Sequence, residues 1–260
     1  MDSCFRPNRS ISRLLLFVLL ACLASQSSAE DCSVSSIELE TQTDVEQFQS
    51  VYGPCDHITG SLEIAPSPFG MPEHIINLDG LAGLVSIGGA LRITDNPLLG
   101  DLTGLSSLRE IGTTGNGGLT LDSNPLLADL TPLSGLTSIS GMLRILQNNS
   151  LVNLDGFQGL STVDGLLEVW NNPALESLDG LENVASIEGN LRISQNVVLR
   201  SLDSFENLAS VGGSIEVKDN RVLGDLDGLA ALHQVNGDLI LQSNAALANI
   251  NGLSNISRVD

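Results

Sequence analysis

The chain has 260 residues, with 11 basic against 31 acidic side chains, a formal net charge of −20, 42% hydrophobic residues and 3% aromatics. A negative field of that size repels phosphate backbones and anionic bilayers, which sets nucleic acid aside as a partner. Its three histidines (His57, His74 and His233) are scattered, so the sequence predicts neither a metal cluster nor a cofactor.

The first element is a leader, residues 1–29. Arg6, Arg9 and Arg13 precede an apolar run of eleven residues, Leu14 to Ala24, and small residues lead to Ala29. Spanning a bilayer takes ~20 apolar residues, so the pattern predicts a cleaved secretory signal peptide. A second reading stays open. Leu19-Leu20-Ala21-Cys22 loosely resembles a lipobox, although Leu20 departs from it, and would leave Cys22 as a lipid anchor. Cleavage after Ala29 leaves 8 basic against 30 acidic residues, a surface suited to solubility outside the cell.

Residues 30–61 are predicted as an N-terminal cap. IELE, Ile37 to Glu40, reads as a strand. Thr43-Asp44-Val45-Glu46 reads as a capping box opening a short helix, with Val45, Phe48 and Val51 facing inward. Cys32 and Cys55 flank this segment and, in an exported chain, are expected to form a disulfide; two free thiols are the alternative.

Residues 62–260 form a repeat. A phrase such as LRISQN recurs with its Asn at Asn96, Asn124, Asn148, Asn172, Asn196, Asn220 and Asn244; the first step is 28 residues and every later one is 24. A strict period of this size marks a solenoid whose units stack on their neighbours. In one unit the inward positions are Leu191, Ile193, Asn196, Leu199, Leu202, Phe205, Leu208 and Val211. The step of two is a short strand, and the steps of three suit a 3₁₀-like return path. The Asn column is predicted as a buried ladder satisfying backbone groups. A Gly column (Gly60, Gly89, Gly117, Gly141, Gly165, Gly189, Gly213 and Gly237) reads as a corner needing positive φ. Eight strands at ~4.8 Å predict a rod about 38 Å long.

Outward strand positions carry the candidate sites. One column alternates in charge through Arg144, Glu168, Arg192 and Glu216, which reads as a surface ion-pair ladder or as a charged ligand stripe. A second column contains Leu146 and Trp170; with Met142 and Leu166 just before the strands, these predict an outward apolar patch for ligand binding. The alternative is that another segment covers it. Two insertions, Pro66 to His74 and Thr113 to Gly118, read as recognition loops or as tolerated additions. Asp79, Asp155, Asp179, Asp203 and Asp227 stack at turn starts, where they cap the backbone or bridge Ca²⁺.

The pattern I-x-G-x-L-x-I-x-x-N, as in ISGMLRILQN and IEGNLRISQN, resembles the receptor L-domain branch of leucine-rich repeats, and CDHITGSLEI resembles the start of such a domain. The resemblance covers residues 32–260. It implies an extracellular, non-enzymatic domain of a kind found in growth-factor receptors and fungal wall proteins. No transmembrane helix, kinase or cysteine-rich neighbour accompanies it, so neither receptor signalling nor any ligand is carried over. The predicted class is therefore mainly β: a right-handed leucine-rich-repeat or β-helix-like solenoid of about eight 24-residue turns behind a cap.

The leading expectation is a secreted or cell-surface module binding a protein or glycan partner; the alternative is a structural component of a cell envelope or wall. A polysaccharide lyase or hydrolase is set aside, because the acidic columns occupy repeated turn positions without a His, Lys or Arg partner. The last repeat runs from Leu239 to Val259 with nothing after Asp260 to cover it, which predicts self-association through that end or a longer gene product. Asn255-Ile256-Ser257 is a glycosylation sequon; Asn148-Asn149-Ser150 is another, but Asn148 belongs to the ladder.

Overall fold

The computed structural model describes residues 31–67, 74–114 and 117–259. The leader with Cys22, the centre of the insertion at 66–74, two residues of the insertion at 113–118 and Asp260 lie outside the described residues. Among those described, the chain is mainly strands in parallel sheets, with a single α-helix. Among the described residues no helix is long and apolar enough to cross a membrane.

The cap begins with β1 (Ser36–Leu39), whose Ile37 and Leu39 point into the core. Helix α1 (Gln42–Tyr52) follows. It starts two residues earlier than the sequence suggests. Thr41 is the N-cap: its Oγ1 accepts from Asp44 N at 3.1 Å, and Asp44 Oδ2 accepts from Thr41 N at 2.9 Å. Val45 and Phe48 are buried as expected, but Val51 is 64% exposed. Stepping by three drifts about 60° per step on a helix of 3.6 residues per turn, so the second step leaves the inward face. Gln42 is buried instead, and its Oε1 accepts from the N–H of Ile76 at 2.9 Å. Cys32 and Cys55 are bonded, closing a loop around β1 and α1.

Each repeat then adds one strand: β2 (Ser61–Ile64), β3 (Ala90–Thr94), β4 (Gly117–Asp122), β5 (Gly141–Leu146), β6 (Leu167–Trp170), β7 (Leu191–Ser194), β8 (Ile215–Lys218) and β9 (Leu239–Gln242). With β1 they form a nine-stranded parallel sheet in chain order. Its register is the sequence period: Leu143 pairs with Leu167, Leu167 with Leu191, and Leu191 with Ile215. Two-residue strands on the return path build two further five-stranded sheets, the second starting at Thr162–Val163. Among the described residues six 3₁₀ segments, Asp203–Phe205 one of them, complete the return path.

The core is a column of aliphatics from every repeat. Leu191, Ile193, Leu199, Leu202, Phe205, Leu208 and Val211 are all fully buried, as their spacing predicts. A parallel strand with one face in such a core and the other outward needs alternating apolar residues, which LRIS and IEVK provide. Within the last repeat Leu239, Leu241, Leu247, Leu253 and Ile256 pack against the core while only partly buried.

The buried Asn column is a continuous hydrogen-bonded ladder. Asn148 N donates to Oδ1 of Asn172 at 2.9 Å, Asn172 N to Asn196 at 3.0 Å, and Asn196 N to Asn220 at 3.0 Å. Each Nδ2 donates to a carbonyl of the preceding repeat, as from Asn172 to Ile145 O and from Asn196 to Val169 O, both at 2.9 Å. The ladder continues to Asn244 and begins at Asn96, whose buried Oδ1 meets no donor among the described residues. The equivalent position one repeat earlier is Ser67, where the first insertion diverts the chain.

The Gly column has a different cause from the one its sequence suggests. Of its members only Gly141 has a positive φ, 144°. The others are glycine because of stacking. A Cβ on Gly89, Gly165, Gly189, Gly213 or Gly237 would lie 2.5–3.0 Å from the carbonyl carbon of the column glycine one repeat before. The positive-φ corner is elsewhere, at the residue just before each ladder Asn: Asp95, Ser123, Gln147, Asn171, Gln195, Asp219 and Ser243, all at φ 53–59°. That left-handed residue turns the chain off the strand and drops the Asn inward.

Candidate functional site

The outward face of the nine-stranded sheet is a rigid grid, because every side chain on it is fixed by the register. Arg144 stands beside Glu168, Glu168 beside Arg192, and Arg192 beside Glu216. Arg144 Nε bonds Glu168 Oε2 at 2.8 Å, Arg192 Nε lies 3.4 Å from Glu216 Oε1, and Lys218 Nζ lies 2.7 Å from Glu216 Oε2. The Lys218 hydrogen bond is the main cause holding the Glu216 carboxyl below its ordinary range. Both arginines named as ligand candidates are therefore engaged by carboxylates, in the ion-pair form of the ladder. Exposed pairs of this sort contribute ~0.2–1 kcal/mol each.

The apolar candidates divide. Met142 is exposed, and Leu166 and Trp170 are half-buried. Leu146 differs from the patch reading: it is 5% exposed. It stands in register between Asp122 and Trp170, and a residue flanked by an indole one strand away has little open surface left. The apolar candidates are thus split into two ends of the strand pair, Met142 with Leu166 at the start and Trp170 with Leu146 at the finish, and the Arg144–Glu168 pair stands between them, which parity alone did not show.

The turn carboxylates also need correction. The N–H that starts a 3₁₀ segment is capped from two residues earlier in every segment but Asp203–Phe205: Thr103 N donates to Asp101 Oδ1 at 2.8 Å, Thr131 N to Asp129 Oδ1 at 2.8 Å, and Asp227 N to Asp225 Oδ1 at 3.0 Å. The Thr103 side chain and then its N–H hold the Asp101 carboxyl below its ordinary range. The column of Asp79, Asp155, Asp179, Asp203 and Asp227 does not supply this cap, and Asp155 and Asp179 instead accept from Gln158 Nε2 and Ser204 Oγ. Among the described residues no three His, Cys, Asp or Glu side chains are grouped as metal ligands would be.

Two features escaped the sequence. Register places Ser86 beside His57, with Oγ 2.7 Å from Nδ1, and Asp56 Oδ1 lies 3.8 Å from Nε2. The residue types are those of a hydrolytic triad, but Asp56 is beyond hydrogen-bond distance. Ser86 N is already spent on Asp56 O at 3.3 Å, so it cannot serve an oxyanion. The second feature is a trough past the strand ends. Asp95, Ser123, Gln147 and Asn171, with Pro97, Pro125 and Asn149, line a cavity of about 410 Å³. Asn171 also lines a neighbouring cavity of about 290 Å³ with Gln195, Val197, Asp219 and Arg221. The signal for it was present: the position before each ladder Asn is always polar and never Gly.

Compared with protein-family models, with curated proteins and with solved structures, the chain matches none.

Proposed function

We propose that the chain is an exported, non-catalytic binding module, secreted or held at the cell surface, for a protein or glycan partner. In this reading the stacked repeats form a right-handed solenoid of the receptor L-domain kind. The observation that carries it is Trp170, the only tryptophan, half-exposed beside buried Leu146 at one end of a strand pair whose other end carries exposed Met142 and half-buried Leu166, on a grid fixed by register. A large amphipathic ring on a rigid surface gives contact area at little entropic cost. The Arg144–Glu168 pair crosses the sheet between the two apolar ends and offers polar contacts beside each. The disulfide and the leader agree with export.

Glycan-array and pull-down binding by the exported chain, repeated with Trp170→Ala, tests the reading. Saturable binding that falls on Trp170→Ala supports it. Firm retention in cell-envelope fractions with no saturable ligand points to a structural wall component instead. Product formation from a polysaccharide would overturn the non-catalytic assignment.

A further inference from the structure

The left-handed column past the strand ends is expensive as built. Residues with a Cβ are disfavoured in this conformation, Asn and Asp less so, and Gly is at ease there. Yet seven consecutive repeats place a polar side chain at that point and none places Gly. Gln147 and Gln195 are not tolerant types, so the backbone alone does not explain them.

Many of these side chains also have nothing to do within the chain. Among the described residues Asp95, Asn171, Gln195, Asp219 and Arg221 make no side-chain hydrogen bond or ion pair. They line two cavities that share Asn171 as a wall and together follow six repeats, from Asp95 to Asp219. Pro97, Pro125 and Val197 give it an apolar side. Planar carboxamides, carboxylates and a guanidinium with free donors and acceptors, beside small apolar surfaces, match a polyhydroxylated ligand.

We propose that this trough binds an uncharged linear glycan lying along the stacking direction, one sugar to each repeat. The proposal rests on the binding-module reading and names its ligand class. Successive repeats are ~4.8 Å apart, so six of them span roughly 24 Å. An extended β-1,4-linked hexose chain advances by nearly that spacing per sugar and, because successive sugars are turned over, presents like edges to every second repeat. An extended peptide advances about 3.3 Å per residue, so its residues do not match single repeats. Charge narrows the class further. The excess of 31 acidic over 11 basic residues, with Asp95 and Asp219 in the trough itself, disfavours uronates and sulfated sugars.

Calorimetric titration of the exported chain with hexasaccharides of β-1,4-glucose and β-1,4-N-acetylglucosamine, and with hexagalacturonate as the charged control, tests the proposal. At least one uncharged hexasaccharide should bind saturably and hexagalacturonate should not. The double variant Asn171→Gly/Gln195→Gly should weaken that binding about tenfold or more. Its melting temperature should stay the same or rise, because Gly suits the left-handed turn. No uncharged hexasaccharide bound, binding unchanged in the double variant, or a lower melting temperature in it would each overturn the proposal. A protein partner lost on Trp170→Ala but indifferent to the double variant would overturn the glycan assignment while leaving the binding-module reading intact.

Discussion

The backbone N–H of Asn148 donates to the side-chain oxygen of Asn172, 2.9 Å away and 24 residues later in the chain. One residue type thus satisfies the backbone of one repeat from within the next, inside an otherwise aliphatic column. Asn172 Nδ2 reaches back to Ile145 O at 2.9 Å and Trp170 O at 3.2 Å. Replacing it with Leu keeps the branched shape with a somewhat larger side chain and strands these groups at once. Asn172→Leu should cost about 3 kcal/mol or more, at ~1–3 kcal/mol per buried orphan. Exposed Asn149→Leu should stay within ~0.5 kcal/mol. Urea denaturation of the two variants checks the contrast.

Stacked glycines make a different prediction. A Cβ on Gly165 would lie 2.9 Å from the carbonyl carbon of Gly141. Gly165→Ala should therefore cost about 1–3 kcal/mol through overpacking. Gly83 has φ 97° and open space around it, so Gly83→Ala should cost only ~1 kcal/mol, from the backbone alone. Equal thermal shifts in the two variants would contradict the stacking account.

The cap is tied by the Cys32–Cys55 bond across a separation of 23 residues. Its loss should lower stability by about 3 kcal/mol, the loop-entropy value for a loop of this size. Cys32→Ser/Cys55→Ser should open α1 and β1 first, read by hydrogen exchange at Val45 and Phe48. Uniform loss of protection along all the repeats would show instead that the cap and the stack melt as one unit.

Acid should weaken the molecule through Glu216 and Asp101. Both carboxyls are held below their ordinary values of 4.5 and 3.8, Glu216 first by Lys218 and Asp101 first by the Thr103 side chain. A depressed carboxyl contributes stability above its unfolded value, which is lost as pH falls through the folded one. Melting temperature should thus fall as pH drops below about 4.5. Glu216→Gln should flatten that slope and lower stability slightly at neutral pH. An unchanged slope would remove Glu216 from the account.

Much of the fold was legible because the period is strict. Leu191, Ile193, Asn196 and the steps of three to Val211 assign an interior from letters alone, and burial agrees at each position. What the letters hide is which constraint put them there. Glycine permits positive φ and also permits contact, and only the folded structure shows that Gly165 is small because Gly141 lies against it. The same ambiguity shifted the turn cap from Asp101 to the column two residues later. For the candidate site, parity alone placed Leu146, Met142, Leu166 and Trp170 outward. It could not tell that Leu146 sits low between Asp122 and Trp170. His57 and Ser86 are 29 residues apart, and only register across the first insertion brings them together.

Because Trp170 is the only tryptophan, its emission reports on one place. Fluorescence of the exported chain should show partial quenching by acrylamide when free. On titration with the partner found by array or pull-down, a saturable blue shift and protection from the quencher should follow, with a midpoint equal to the binding constant. Saturable partner binding that leaves the emission and quenching of Trp170 unchanged would contradict the claim that this face is where the protein binds.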